Sequence, residues 1–265
     1  MLLQYITWNV SPEIIKLGPL ALRWYGILFA LGFVIGYLVF QKIFKKEGYS
    51  LEVLDSLTVY MAVGTIVGAR LGHVLFYDLS YYLENPWKIL FVWEGGLASH
   101  GAAIGIVIAL YFAARKHKFN YLWIIDRIVI IIASAGVCIR LGNLMNSEIY
   151  GIQTSLPWGF IFVREHETVA KHPTQIYEAL CYLAIFGFLF WCYVKEWFFK
   201  QEGKIFGIFL VLLFSARFFI EYIKNPQEEF EKALPLDMGQ ILSIPFILVG
   251  IFFIVRSLML KNKIV

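Results

Sequence analysis

Apolar residues run along this chain in seven long blocks, each separated from the next by a short polar or charged connection. The blocks cover roughly 20–41, 54–76, 97–114, 122–144, 174–194, 204–223 and 238–258. Each holds about 18–23 residues, enough at ~1.5 Å rise per residue to cross a ~30 Å hydrocarbon core as a helix. The pattern predicts an all-α, polytopic integral membrane protein of seven transmembrane helices with a small extracytoplasmic loop region. No polar stretch is long enough to fold alone, so residues 1–265 are expected to form a single membrane domain. Residues 1–19 contain Trp8, Pro12 and Glu13 and read as an interfacial segment ahead of the first span. They carry no basic n-region and no small-residue cleavage site, so no removable signal peptide is expected.

Composition agrees with the pattern: the chain is 60% hydrophobic, 18% aromatic and only 16% charged. The basic residues then orient it. One set of connections carries Lys42, Lys45 and Lys46, then Arg115, Lys116 and Lys118, then Lys195, Lys200 and Lys204, and finally Arg256, Lys261 and Lys263. The opposite set has only Lys16, Lys88, Arg164, Lys171, Lys224 and Lys232, and is richer in acidic residues such as Asp78, Glu94, Glu228, Glu229 and Glu231. The positive-inside rule puts the first set in the cytoplasm, with the N-terminus outside and the C-terminus inside. The net charge of +4 reflects those inner loops and gives no reason to expect a nucleic-acid partner. Cys138, Cys181 and Cys192 all fall inside spans and read as small packing residues, not as a disulfide or metal framework.

Five arginines sit in or at the rims of the apolar blocks: Arg23, Arg70, Arg127, Arg140 and Arg217. A guanidinium at membrane depth is costly, stays charged and binds phosphate in a two-pronged geometry, which points to an anion handled there. With alternating span direction, polar residues of every span converge on the outer half. Gly136, Arg140, Asn143 and Ser147 recur at helical spacing as one small-and-polar stripe, expected to face protein or a cavity. Arg217 and Glu221, four apart, are spaced to pair, either as a structural ion pair or with Glu221 holding Arg217 for a ligand. Gly64, Gly68 and Gly72 around Arg70 read as a close-packing ridge, and Asp126 with Arg127 as bundle pairing or interface anchors. Arg23 reads equally well as a snorkelling residue. His100 follows Gly95-Gly96-Leu97-Ala98-Ser99, where the glycines allow a tight re-entry, and is a candidate base or substrate-positioning group.

These motifs together resemble the bacterial prolipoprotein diacylglyceryl transferase family. Arg140-Leu-Gly-Asn143-Leu-Met-Asn146-Ser-Glu148-Ile-Tyr-Gly151 is similar to its signature. Arg23-Trp-Tyr25-Gly26, Gly-Ala-Arg70, His100-Gly101, His172-Pro-Thr-Gln175-Ile-Tyr177-Glu178, Arg217-Phe-Phe-Ile-Glu221 and Met238-Gly239-Gln240 follow in the family's order, from about residue 20 to 250. The resemblance implies a seven-span plasma-membrane enzyme that moves the diacylglyceryl group of phosphatidylglycerol to the lipobox cysteine of prolipoproteins and releases glycerol phosphate. Its partners would be that lipid, prolipoprotein signal peptides and membrane lipids. Separately, the sequence shows no nucleotide loop, haem motif or cysteine–histidine metal set, so no cofactor or metal is expected. It marks Tyr25, His100, Arg140, Asn143, Glu148, Gly151, Arg217 and Glu221 as site residues. Ile139 and Ser147 stand where the family pattern has glycine, which bears on the local shape around Arg140.

On that reading His100 is the candidate proton acceptor for the thiol, with Glu148 or Tyr25 orienting the site. Arg140, Asn143, Gly151, Arg217 and Glu221 are the candidates for binding phosphatidylglycerol, with Arg140 and Arg217 stabilising the departing phosphate. Two other classes make different demands. An anion transporter would spread polar positions through the whole membrane depth and usually repeat internally, and no such repeat is visible. An intramembrane serine protease using Ser99 or Ser147 would need a base brought in from another helix, because Ser99 and His100 point to different faces.

Overall fold

In a computed structural model, residues 5–17, 20–196, 201–225 and 235–261 are described. Lys200, Lys232, Lys263, Glu228, Glu229 and Glu231, used above for orientation, lie outside them, as does the side chain of Ser99. Among the described residues the helices are α1 (Trp24–Glu47), α2 (Leu51–Phe76), α3 (Leu79–Glu84), α4 (Ser99–His117), α5 (Tyr121–Met145), α6 (Thr174–Val194), α7 (Lys204–Glu221) and α8 (Met238–Lys261). All but the short α3 coincide with the apolar blocks. Five of them, α1, α2, α5, α6 and α8, are long and apolar enough to cross a membrane.

The departure is at the N-terminus. Among the described residues four short strands occur: β1 (Ile6–Trp8), β2 (Glu13–Leu17), β3 (Leu20–Arg23) and β4 (Phe160–Phe162). Residues 20–23, expected to open the first span, instead form β3, which pairs antiparallel with β2 from Leu17↔Leu20 to Glu13↔Arg23. That register puts Arg23 opposite Glu13, with their charged groups 3.6 Å apart, the arginine largely exposed and the glutamate half-buried. Arg23 is therefore a cross-strand partner on a hairpin.

The chain divides into two compact units, residues 1–38 with 126–265, and residues 39–125. In the first, β1 and β4 pair in parallel, and Phe160 and Phe162 pack with Leu144 against Trp8, Tyr150 and Ile176. The Trp8 indole donates to the Leu144 carbonyl at the end of α5. Helices α7 and α8 pack closely where Gly207 meets Gly250, and Phe214 stacks on Phe246 at 4.3 Å. Cys138 and Cys192 are buried, and all three cysteines are unpaired.

Asp126 corrects the interface-anchor reading. Its carboxylate is buried and accepts from the Gly203 N–H at 2.7 Å and the Phe206 N–H at 2.8 Å. It thus caps the first turn of α7 from a different helix, satisfying donors that otherwise have no partner. Asp126→Ala removes two charge-assisted bonds and is expected to cost about 3 kcal/mol of stability. Thermal unfolding in detergent would read this as a lower midpoint, with Asp126→Asn intermediate.

In the second unit, α2 and α4 cross with Gly64, Gly68 and Gly72 set against Gly101 and Gly105. A Cβ on Gly72 would lie 2.6 Å from the Gly101 Cα, so the backbones touch. Phe44, Tyr49, Phe119 and Trp123 close the other end of this unit in an aromatic cluster. Arg70 is buried and aims at backbone: Nε donates to the Ile89 carbonyl, Nη2 to that of Lys88, and Nη1 to those of Gly95 and Gly96. Its cation also lies over the Tyr82 ring at 5.0 Å. Arg70 therefore holds the segment leading into α4 and has little left for an anion.

Candidate functional site

The family-like signature begins on the last turns of α5 and continues into a loop with two residues in left-handed backbone, Ser147 at φ 56° and Ile149 at φ 61°. Such a conformation is uncommon for any non-glycine residue and an outlier for a β-branched one. The start of α6 holds the strain in place. Gln175 Nε2 donates to the Glu148 carbonyl at 2.7 Å, and Thr174 Oγ1 to the Ile149 carbonyl at 2.8 Å. Both side chains are fully buried. The fixed loop turns the Glu148 carboxylate back toward α5, where Oε1 accepts from Asn143 Nδ2 at 2.7 Å and from Asn146 Nδ2 at 3.3 Å.

Ser147 also explains why a glycine suits its place. Its φ is one that glycine adopts without penalty, and its buried hydroxyl has no hydrogen-bond partner among the described residues. Ser147→Gly is expected to stabilise the protein by about 1 kcal/mol, the left-handed penalty and the orphaned hydroxyl together exceeding glycine's entropic cost. A raised unfolding midpoint would check it, and a lowered one would contradict it.

Arg140 lies one turn before Asn143. Its Nε is 3.0 Å from Glu178 Oε2, an ion pair whose angle falls short of a hydrogen bond. Nη1 makes a long 3.4 Å contact to Asn143 Oδ1, and the guanidinium also donates a hydrogen bond to the Tyr182 hydroxyl, with the ring centroid 5.9 Å away. Tyr182 also interacts electrostatically with Arg217, so both arginines approach one aromatic side chain on α6. Tyr25, at the start of α1, packs its ring over Gly142, where a Cβ would come within 2.8 Å, and it feels both Glu148 and Arg140.

The expected pairing of Arg217 with Glu221 is not what forms. Glu221 Oε2 is 3.2 Å from Lys224 Nζ, and Lys224 Nζ is also 3.2 Å from Glu178 Oε1. Arg217 is half-buried and has no ion pair among the described residues. Lys224 is 4% exposed and Glu178 0%, which makes them the most enclosed charges of the group. Gly151 accounts for the placement of Lys224. It bridges Lys224 in antiparallel fashion, and the next residue's N–H donates to the Ile223 carbonyl at 2.9 Å. A Cβ on Gly151 would come within 2.7 Å of the His172 Cβ, so only glycine allows this approach. Gly239 does the same for Glu221, since a Cβ there would lie about 2.6 Å from both carboxylate oxygens.

Sequence reasoning did not place Lys224 here, counting it only as a loop charge, and left Glu178 outside the site. The Glu221–Lys224 spacing of three was the available signal.

His100 belongs to the second unit, in the first turn of α4. It is exposed, with its ring packed on Phe76 and Tyr77 at 5.6 and 5.7 Å. Gly95 at φ 93° and Gly96 at φ 69° supply the re-entry before it, and Gly96 lies against His73 and Arg70. The same unit has an apolar groove of about 690 Å³ between α2 and α4, lined by the glycine ridge, aliphatic side chains and the aromatic rings of Tyr60, Phe76 and Phe112. Such a lining offers an anion nothing, so the groove is not the charged site. Outside the spans, Tyr150 donates to Glu167 Oε1 at 3.0 Å, and burial followed by that bond pushes its phenol up to about 12. The phenol therefore remains a donor at any physiological pH. Burial lowers the His172 imidazole, whose Nδ1 lies 3.2 Å from the Tyr177 hydroxyl.

The fold and this buried lattice of carboxylates and cations define a helical, membrane-type protein with an ionic site built from α5, α6, α7 and the chain after α7. The sequence profile of the prolipoprotein diacylglyceryl transferase family matches residues 12–256. A phosphatidylglycerol–prolipoprotein diacylglyceryl transferase of Tolumonas auensis is 49% identical over 253 residues, covering 94% of this chain and 96% of the relative. Proteins of the same name from Porphyromonas gingivalis and Chloroherpeton thalassium are 48% and 45% identical, covering 98% and 96% of this chain and 96% and 94% of their own lengths. The chain belongs to the prolipoprotein diacylglyceryl transferase family.

Proposed function

We propose that this protein transfers the diacylglyceryl group of phosphatidylglycerol to the lipobox cysteine thiol of prolipoproteins. The observation that carries the reading is Arg140: it is enclosed with Glu178 on its Nε edge, while its guanidinium also meets the Tyr182 hydroxyl and, through a long contact, Asn143. A guanidinium so arranged suits a phosphodiester oxygen, and Arg217, without an ion pair among the described residues, is the second cation for it. The cysteine sulfur attacks the glyceryl carbon bonded to the phosphate, the carbon–oxygen bond breaks, and glycerol phosphate leaves with the bonding pair on oxygen. Charge grows on that leaving group, so the arginines stabilise the transition state more than the bound lipid. The thiol proton passes to His100, a role that rests on the motif carrying it. Tyr25 and Glu148 orient the site, and Asn143 hydrogen-bonds the lipid headgroup. Gly151 and Glu221 shape the headgroup site through the Lys224 segment. No cofactor or metal is needed for this displacement.

The seven long helices other than α3 are taken as spans, with the N-terminus outside, the C-terminus cytoplasmic and the ionic site in the outer-leaflet half of a bacterial plasma membrane. The test is purified protein with phosphatidylglycerol and a lipobox peptide. A peptide mass increased by one diacylglyceryl group, with equimolar glycerol phosphate, is the expected result. Failure to form either product, or attachment through an ester of the peptide, would overturn the reading.

A further inference from the structure

We infer that Glu178 and Lys224 are positioning residues for the transfer reaction: together they fix the direction in which Arg140 presents its guanidinium. The inference rests on the transferase reading above. Glu178 is completely enclosed and faces two cations at once, Arg140 Nε at 3.0 Å through Oε2 and Lys224 Nζ at 3.2 Å through Oε1. A carboxylate held by one cation alone can swing about its terminal torsion. Held on both oxygens, it becomes a fixed wall against which the Nε side of Arg140 rests.

Lys224 is fixed in turn. Glu221 holds its ammonium from the other side at 3.2 Å, and the Gly151 bridge fixes its backbone. Glu221 is limited by Gly239, whose missing Cβ leaves just enough space for the carboxylate. The chain of support therefore runs from Gly239 through Glu221, Lys224 and Glu178 to Arg140. Occupying the Nε edge leaves the Nη edge as the one a phosphate meets. Without Glu178 only the Tyr182 hydroxyl and the long Asn143 contact restrain the guanidinium, and an ångström-scale misplacement of a catalytic group is worth on the order of 10²-fold in rate.

The distinguishing experiment is a double-mutant cycle on lipobox-peptide modification. Glu178→Gln and Lys224→Met are each made in the wild-type protein and in Arg140→Lys. If they act through Arg140, each lowers kcat/KM by about 10²-fold in the wild type, and by less than about threefold once the fork is already gone. Lys224→Arg, which keeps a cation between the two carboxylates, should restore most of the activity. Gly239→Ala serves where a charge-removing variant fails to fold. The group it displaces is the end of a flexible side chain, so the helices stay packed while Glu221 leaves Lys224. Its loss should also shrink in the Arg140→Lys background. Equal losses in both backgrounds, or wild-type kinetics in Glu178→Gln and Gly239→Ala, would overturn the inference. A wild-type protein that makes no product would instead refute the transferase reading itself.

Discussion

Arg140→Lys should lower the rate of lipobox-peptide modification by about 10²–10³-fold, the usual consequence of removing one well-aimed donor from a developing anion. The charge is retained, so simple attraction for an anionic lipid survives. What disappears is the fork. A lysine ammonium drawn to Glu178, which Lys224 already shares, has no second edge to present toward Asn143 and Tyr182. The loss should appear in kcat more than in KM for phosphatidylglycerol, because the contact strengthens as the phosphate departs. Initial rates at several lipid concentrations decide this. A correctly folded Arg140→Lys protein working at the wild-type rate would remove the phosphate-gripping role. Arg23→Lys provides the contrast: its partner Glu13 is 3.6 Å away on an exposed hairpin, and the rate should hardly change.

The five arginines that stood out in the sequence divide in the structure, and the reasons are instructive. Arg70 and Arg140 both interrupt apolar helices and look alike in hydropathy. Arg70 finds four backbone carbonyls in a segment 18 to 26 residues further on, whereas Arg140 finds a carboxylate on α6. Nothing in local spacing separates these outcomes, because each depends on where a distant segment returns. Helix positions were legible for the opposite reason. A run of about 20 apolar residues admits few structures in a bilayer, since every backbone polar group must be satisfied within the segment.

Short strands carry no such compulsion. Glu13 to Leu17 and Leu20 to Arg23 border the first apolar block and merge with it in hydropathy, so β3 was absorbed into the expected span. Lys224 shows the same limit within the site. By sequence it is one more cation in an outer connection, and its burial depends on Gly151, whose close approach no periodicity announces. The Arg217–Glu221 spacing was sound as local geometry. It lost to Lys224, which reaches Glu221 from three residues on and is also fixed by Glu178.

Gly68→Val should abolish folding of the protein to its native state, the largest stability effect expected of any single substitution here. Gly68 lies in the middle of the α2–α4 crossing, where an added Cβ would stand 2.8 Å from the Gly105 Cα and press on the Gly101 carbonyl. Those neighbours are backbone, which cannot rotate aside as a side chain can. The only relief is separation of the two helices, which strips dispersion contacts along the whole ridge from Gly64 to Gly72. Overpacking a core usually costs about 1–3 kcal/mol. Here the cost should exceed that range, because the obstruction is rigid and the branched side chain adds two more carbons. The disturbance also reaches Arg70 and Gly96, because the carbonyls that Arg70 holds lead directly into the first turn of α4. Detergent-extracted Gly68→Val should therefore be largely absent or aggregated in size-exclusion chromatography. Gly187→Ala is the matched control: nothing lies within 4 Å of its added Cβ, so it should be folded and gain up to about 1 kcal/mol in helix propensity. A folded, monodisperse Gly68→Val protein would show that α2 and α4 do not depend on backbone contact at this crossing.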